Sequence, residues 1–275
     1  MRLDPEDIRR AVRAALDEDI GSGDITSEAT IAANATATAV MVARQPLVVA
    51  GIEFAEVAFT GAKVSRHTED GDAVAKGAKL LIVSGNARTI LAGERVALNF
   101  VQRLSGVATL TRQFVDAIAG TRAKILDTRK TTPGWRKFEK YAVGCGGGDN
   151  HRFGLFDMVL MKDNHLAALG GDVGAAVKAA RKKFPKLKIE VEADRLEQVR
   201  QAAEAGADIV LLDNMTLEQL RKAVGFVTGR CKTEASGGVN LGTVRAIAQA
   251  GVHYISVGAL THSAPAVDIG LDFRE

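Results

Sequence analysis

Two rhythms divide the chain. Near the start, Ile8, Ala11, Val12, Ala15 and Leu16 recur at helical spacing behind Asp4 and Pro5, an N-cap residue and a first-turn proline. From about residue 24 to 85 the pattern shortens to alternating runs such as Thr36, Thr38, Val40 and Val42. These are punctuated by Asp70-Gly71 and Lys76-Gly77, which read as turns between strands. Helical spacing returns between Asn86 and Gly120, with a predicted interruption at Ser105-Gly106. Beyond it, six short apolar runs recur: AKILDT, DMVLMKD, KIEVEA, DIVLLD, KTEASGG and YISVGA. Helical segments such as VGAAVKAARKKF, LEQVRQAAEAGA, TLEQLRKAVGFV and LGTVRAIAQAG separate most of them. Alternation of apolar strands with helices predicts a parallel sheet covered by helices. The strands are too few for a regular eight-fold barrel but suit an incomplete one. No glycine-rich dinucleotide fingerprint succeeds the first strand, which disfavours an open doubly wound sheet.

The residues at the C-terminal end of each predicted strand are more informative than the strands. Asp127-Thr128-Arg129-Lys130 succeeds the first, Lys162-Asp163-Asn164-His165 the second, and Glu192 closes the third. Asp213-Asn214 succeeds the fourth, Ser236-Gly237-Gly238 the fifth and Gly258 the sixth. In parallel α/β folds the C-terminal strand ends converge on one face, where active sites are built. Arg129, Lys130, His151, Arg152 and Lys162 form a candidate cationic group for carboxylates or phosphates. Ser236-Gly237-Gly238, read as opening the next helix, and Gly258 are candidate phosphate turns. Glu192 and Asp213 could hold a divalent ion or sugar hydroxyls, although Asp213 could also merely cap the next helix. Glu190 shares a strand face with Glu192 by the period of two, so either could be the functional carboxylate. The stretch from Gly144 to Asp149 lacks the Lys-Ser/Thr of a P-loop and reads as a plain mobile loop. The residues alone thus predict an enzyme for an anionic, phosphorylated substrate.

Bulk properties remove several other classes. With 275 residues, 47% hydrophobic and 25% charged, the chain is ordinary globular protein rather than a disordered one. No apolar run approaches the roughly 20 residues needed to span a bilayer, and the acidic, apolar-poor N-terminus argues against a signal peptide. The formal charge of +3, without basic stretches interleaved with aromatics, gives no footprint for nucleic acid. Arg181, Lys182, Lys183, Lys186 and Lys188 read as a solvated face at a helix C-terminus. Cys145 and Cys231 have neither metal-ligand spacing nor the number for a disulfide framework, so a reducing cytoplasm is expected.

The stretch LDTRKTTPGWRKFEKYAVGCGGGDNHRFGLFDMVLMKDNH, from Leu126 to His165, resembles the signature region of the quinolinate phosphoribosyltransferases. ERVALNFVQRLSGVATLT, IEVEADRLEQ, ADIVLLDNM and EASGGVNLGTVRAIAQAGVHYISVGALT continue the resemblance, and DPEDIRRAVRAALDEDIGSGDITS matches more loosely. It implies an N-terminal α/β sandwich over 1–110 and an incomplete, seven-stranded α/β barrel of TIM-barrel type over 111–275. The implied reaction joins quinolinate to the phosphoribosyl group of phosphoribosyl pyrophosphate with loss of carbon dioxide, as a step of NAD biosynthesis that uses Mg2+. Residue by residue, it implies that Arg129, His151, Arg152 and Lys162 bind the quinolinate carboxylates and that Lys130 lies near the pyrophosphate. Glu192 and Asp213 would be the acidic pair near ribose and metal, and Ser236, Gly237, Gly238 and Gly258 the 5′-phosphate turns. Arg103 would reach the site of a neighbouring subunit in a homodimer or a hexamer of dimers. A relative of the molybdenum-cluster-associated type shares the Asp-Thr-Arg-Lys block, and a non-catalytic phosphometabolite-binding barrel is a different class; the intact HRFGLFDMVLMKDNH favours quinolinate.

Overall fold

The computed structural model describes residues 1–168 and 170–274. They form two compact units, one of residues 1–112, 132–147 and 263–274, the other of 113–131 and 148–262. No described helix is long and apolar enough to cross a membrane.

The first unit opens with α1 (Pro5–Ile20), where Asp4 accepts the Glu6 amide at 2.9 Å and so satisfies one of the orphan N–H groups of the first turn. Ile8 and Val12 are its buried face. Next come α2 (Ile25–Thr30), β1 (Thr36–Ala43), β2 (Leu47–Val48), α3 (Ile52–Ala58), β3 (Lys63–Arg66), β4 (Ala73–Val74) and β5 (Lys79–Asn86). Helix α4 (Ala87–Ala117) succeeds them, and α5 (Arg136–Cys145) is a further helix of this unit. The C-terminal strand Ile269–Arg274 returns to pair antiparallel with β1, giving a four-stranded sheet in which β1, β5 and β3 are the next strands in order. The same unit holds an aromatic stack, with ring centroids 4.8 Å apart for Phe54 and Phe100 and 4.9 Å for Phe100 and Trp135.

Helix α4 runs for 31 residues without the predicted break at Ser105-Gly106. Both residues serve close approach instead. A Cβ on Gly106 would stand 2.1 Å from the Pro265 carbonyl oxygen, and the buried Ser105 hydroxyl accepts the Ala50 amide at 2.9 Å. The contact partner is a backbone segment more than half the chain away, so local propensity reads the glycine as a breaker.

The second unit carries β6 (Lys124–Leu126), β7 (Val159–Met161), α6 (Asp163–Ala168), α7 (Val173–Lys183), β8 (Ile189–Ala193), α8 (Leu196–Glu204), β9 (Ile209–Asp213), α9 (Leu217–Val227), β10 (Lys232–Ser236), α10 (Val244–Gln249), β11 (Tyr254–Ser256) and α11 (Ala259–His262). The six strands pair in the order β6-β11-β10-β9-β8-β7, every pair parallel. A lone parallel bridge from Leu126 to Asp149 adds a seventh position beside β6, so the seventh strand that the family resemblance implies is reduced to one residue here. Asp172 caps α7 and Thr216 caps α9, the latter in a reciprocal box with Gln219. With Ile189, Val191, Val210, Leu212 and Ile255 fully buried, helix and sheet close a core typical of covered parallel sheets.

Candidate active site

Because the six strands run the same way, their C-terminal ends share one rim, and Arg129, Lys130, Lys162, Glu192, Asp213, Ser236 and Gly258 lie at or just past those ends. Asp127 stands just past β6 and is fully buried. Its carboxylate accepts the His151 amide at 2.9 Å and the Asn150 side chain at 2.6 Å, so it holds the chain where it re-enters the unit and sets His151 and Arg152 in place. Gly144 and Cys145 close α5 and Asp149 bridges to β6, so the glycine-rich stretch read as a mobile loop is anchored at both ends. Gly146 within it has a packing reason, since a Cβ there would meet the Ala108 carbonyl at 2.4 Å.

Arg129 and Arg152 are close enough to repel. Burial, and then the charge of Arg129, push the Arg152 guanidinium below its ordinary range, while Glu190 and Asp157 oppose the shift. Arg152 gives one bond to the Met158 carbonyl at 3.3 Å, and its buried Nε has no hydrogen-bond partner among the described residues. Two neighbouring guanidinium groups repel, so the arrangement suits an anion between them. The side chain of Lys130 is exposed and its stem lies along Gly258, where a Cβ would come within 3.1 Å of Lys130 Cδ. Thr261 donates to the Lys130 carbonyl at 2.6 Å, tying the loop after β6 to α11.

On the neighbouring strand ends, Lys162 Nζ stands 3.6 Å from Glu192 Oε2. Burial raises the Glu192 carboxyl above its usual range, Lys162 opposes that, and the nearby charge of Asp213 adds to it. The charge of Asp213 thus reaches Glu192. Hard carboxylate oxygens of this kind are the donor type that a hard divalent cation such as magnesium would take. Asp213 is in register with Ser236, and Asn214, with a left-handed φ of 52°, holds the turn by donating to Asp213 at 2.7 Å. Gly237 packs on this turn: with φ at 96° and an added Cβ only 2.0 Å from Asn214 Oδ1, no side chain fits. The predicted helix start after Ser236-Gly237-Gly238 is displaced, because α10 begins only at Val244. Any amides offered to an anion here belong to the glycine turn and not to a helix start.

Beneath the rim is a cluster that periodicity only half foretells. His151 Nε2 lies 2.9 Å from Glu190 Oε2 and 3.5 Å from Glu234 Oε2, with both carboxyls sealed from solvent. Burial pushes Glu190 up to about 7 and Glu234 up to about 8, and the charge of Glu190 adds to the rise at Glu234. Between the two candidates on β8, Glu190 therefore faces inward to His151, whereas Glu192 reaches the rim. Glu234 is not among the candidates read from sequence, although the same period of two that links Glu190 to Glu192 links Glu234 to Ser236.

Arg103 belongs to the other compact unit. Its guanidinium donates to the buried Glu139 carboxylate at 2.7 Å and to the Ala264 carbonyl at 2.6 Å. Glu139 also accepts from the Thr132 amide and hydroxyl, at 2.9 and 2.8 Å, so one buried carboxylate organises both Arg103 and Thr132. Helix α5, which carries Glu139, is not among the predicted helices, although its buried Phe138, Ala142 and Val143 recur at helical spacing.

A parallel barrel with paired arginines, lysines and facing carboxylates on its strand-end rim defines an α/β-barrel enzyme acting on anionic substrates. Residues 107–272 match the family model of the quinolinate phosphoribosyl transferase C-terminal domain, and residues 24–105 match that of the N-terminal domain. The chain belongs to the quinolinate phosphoribosyltransferase family. It is 45% identical over 274 residues to the nicotinate-nucleotide pyrophosphorylase [carboxylating] of Mycobacterium leprae, covering 96% of each chain. Against the chloroplastic enzyme of that name from Arabidopsis thaliana it is 45% identical over 96% of this chain and 82% of the other. The crystal structure of nicotinate-nucleotide pyrophosphorylase from Ehrlichia chaffeensis superposes with a TM-score of 0.93 at 41% identity, covering 100% of both chains. That of the Francisella tularensis enzyme gives 0.94 at 39%, covering 99% of this chain and 98% of the other.

Proposed function

We propose that this chain transfers the phosphoribosyl group of phosphoribosyl pyrophosphate to quinolinate and releases pyrophosphate and carbon dioxide, forming nicotinate mononucleotide for NAD biosynthesis. The observation that carries the reading is the neighbouring pair Arg129 and Arg152, with His151 next to Arg152 in the chain, in the same unit as the strand ends that carry Glu192, Asp213 and the glycine turn. Quinolinate brings two adjacent carboxylates, and a pair of guanidinium groups with an imidazole is chemically matched to them. Lys162 adds a further cation at the rim, and Ser236, Gly237, Gly238 and Gly258 are assigned to the 5′-phosphate.

The ring nitrogen attacks the ribose carbon while the bond to pyrophosphate breaks and its electron pair leaves with that group. Lys130 neutralises the leaving oxygens, and Glu192 and Asp213 lower the cost of positive charge on the ribose. Glu192 and Asp213 are also the residues that would hold Mg2+, which supplies charge neutralisation for the pyrophosphate. The positive nitrogen of the new pyridinium then stabilises the electron pair left on the adjacent ring carbon when its carboxylate departs as carbon dioxide, and that carbon takes a proton from water. The arginines need only hold the ring in line, so positioning and charge complementarity carry the catalysis. Mixing the purified protein with quinolinate, phosphoribosyl pyrophosphate and Mg2+ should release pyrophosphate and carbon dioxide in equal amounts. Pyrophosphate without carbon dioxide would mean transfer or hydrolysis without decarboxylation, and release of neither would point to another ring acid or a binding protein.

The same reading places the enzyme in the cytoplasm, consistent with its two free cysteines, as a homodimer or a hexamer of dimers in which Arg103 serves a neighbouring site. If so, Arg103→Ala and Lys162→Ala variants, assayed at a quinolinate concentration too low for either to turn over alone, should complement on subunit exchange. A mixed dimer has one site lacking both side chains and one intact, so equal mixing should restore roughly a quarter of wild-type activity. No recovery, with exchange confirmed by a mass tag, would put Arg103 in its own chain's site or in none.

A further inference from the structure

We propose that Glu190 and Glu234 are positioning residues for the acid substrate, acting through His151: the buried carboxylate pair fixes the imidazole through Nε2 and so sets one wall of the quinolinate pocket. The inference rests on the assignment of His151 to a substrate carboxylate, and adds to it the part that makes the histidine rigid.

Three facts support it. Polar atoms of His151, Glu190 and Glu234 all lie within 4.8 Å of one another, with Nε2 hydrogen-bonded to Glu190 at 2.9 Å and at an ion-pair distance of 3.5 Å from Glu234. Glu190 and Glu234 stand on strands two places apart, and Glu190 is paired in register with Ile209 of the strand between them, which in turn leads toward Glu234 through Leu211. They therefore reach His151 across the sheet interior rather than from a flexible loop. The backbone of His151 is held as well, since its amide donates to the buried carboxylate of Asp127. Main chain and ring are thus pinned by separate elements, the end of β6 for the one and β8 with β10 for the other.

Burying two carboxyls inside a barrel is costly, and apolar residues of similar size would pack there without that cost. Glu190 Oε1 does not even gain a hydrogen bond of normal geometry among the described residues. A purely structural role is therefore poorly served by this pair, whereas a histidine that must meet a carboxylate in one orientation needs such support.

The test is a double-mutant cycle read separately for the two substrates. Glu190→Ala should raise the quinolinate KM about tenfold while leaving the phosphoribosyl pyrophosphate KM within about twofold. In a His151→Ala background the same change should add less than about twofold, because the group that it orients is gone. Glu234→Gln should show the same pattern at smaller size. Where Glu190→Ala does not fold, Glu190→Gln carries the test, since it keeps the volume and a hydrogen-bonding group; it should raise the quinolinate KM alone and melt as cooperatively as the wild type. Equal effects in both backgrounds, or equal rises in both KM values, would mean a structural role and overturn the inference while the His151 assignment stands. An unchanged quinolinate KM in His151→Ala itself would overturn both.

Discussion

Offered nicotinate in place of quinolinate, the enzyme is expected to lose about four orders of magnitude in kcat/KM. Nicotinate lacks the carboxylate next to the ring nitrogen. Arg152 is already pressed by burial and by the charge of Arg129, and its Nε has no hydrogen-bond partner among the described residues. An anion between the two guanidinium groups relieves both penalties, and a ligand with one carboxylate leaves part of them in place. Sites built to bond a substrate group reject analogues lacking it more strongly than apolar pockets reject a missing methyl group, because the unpaired polar groups of the protein bear the cost. Steady-state kinetics with each acid at saturating phosphoribosyl pyrophosphate decides the matter, with pyrophosphate release as the common readout. Comparable kcat/KM values for the two acids would remove the carboxylate-pair assignment.

Lys130→Ala should lower kcat by about two to three orders of magnitude while leaving the quinolinate KM within a few-fold. The Lys130 side chain is exposed on the rim with its stem along Gly258, and its backbone is tied to α11 through Thr261, so the ammonium group is presented from a fixed base. Charge that develops on the leaving pyrophosphate is felt only as the bond breaks, which places the loss in kcat. Lys162→Ala should behave in the opposite way. It stands 3.6 Å from Glu192 but is assigned to a quinolinate carboxylate, and its loss should mainly raise the quinolinate KM. Measuring both variants in one titration of each substrate separates the two roles. A raised quinolinate KM with intact kcat in Lys130→Ala would mean that the roles are reversed.

The elements themselves are largely present in the sequence, because burial periodicity and capping are local. Asp4 and Pro5 announce α1, the six apolar runs become the six strands, and α9 is capped by Thr216 rather than by Asp213. The polar residue closing each run also appears in sequence, since parallel strands deliver their C-terminal ends to one face whatever the details of closure. That is why Arg129, Lys130, Lys162, Glu192, Asp213 and Ser236 can be placed at or just past strand ends from sequence. Other features depend on partners far away along the chain. Gly106 is a glycine because Pro265 approaches it, and the pattern of α4 alone reads it as a break. The strand Ile269–Arg274 belongs beside β1, yet nothing near it in sequence marks a partner at the far end of the chain. Glu190 and Glu192 are indistinguishable by periodicity; only the approach of His151 and Glu234 from other segments turns the one into a buried brace and leaves the other at the rim. Period and cap chemistry act over a few residues and are written where they act, whereas the meeting of buried charges depends on how strands order themselves in a sheet, a choice made by the whole chain at once.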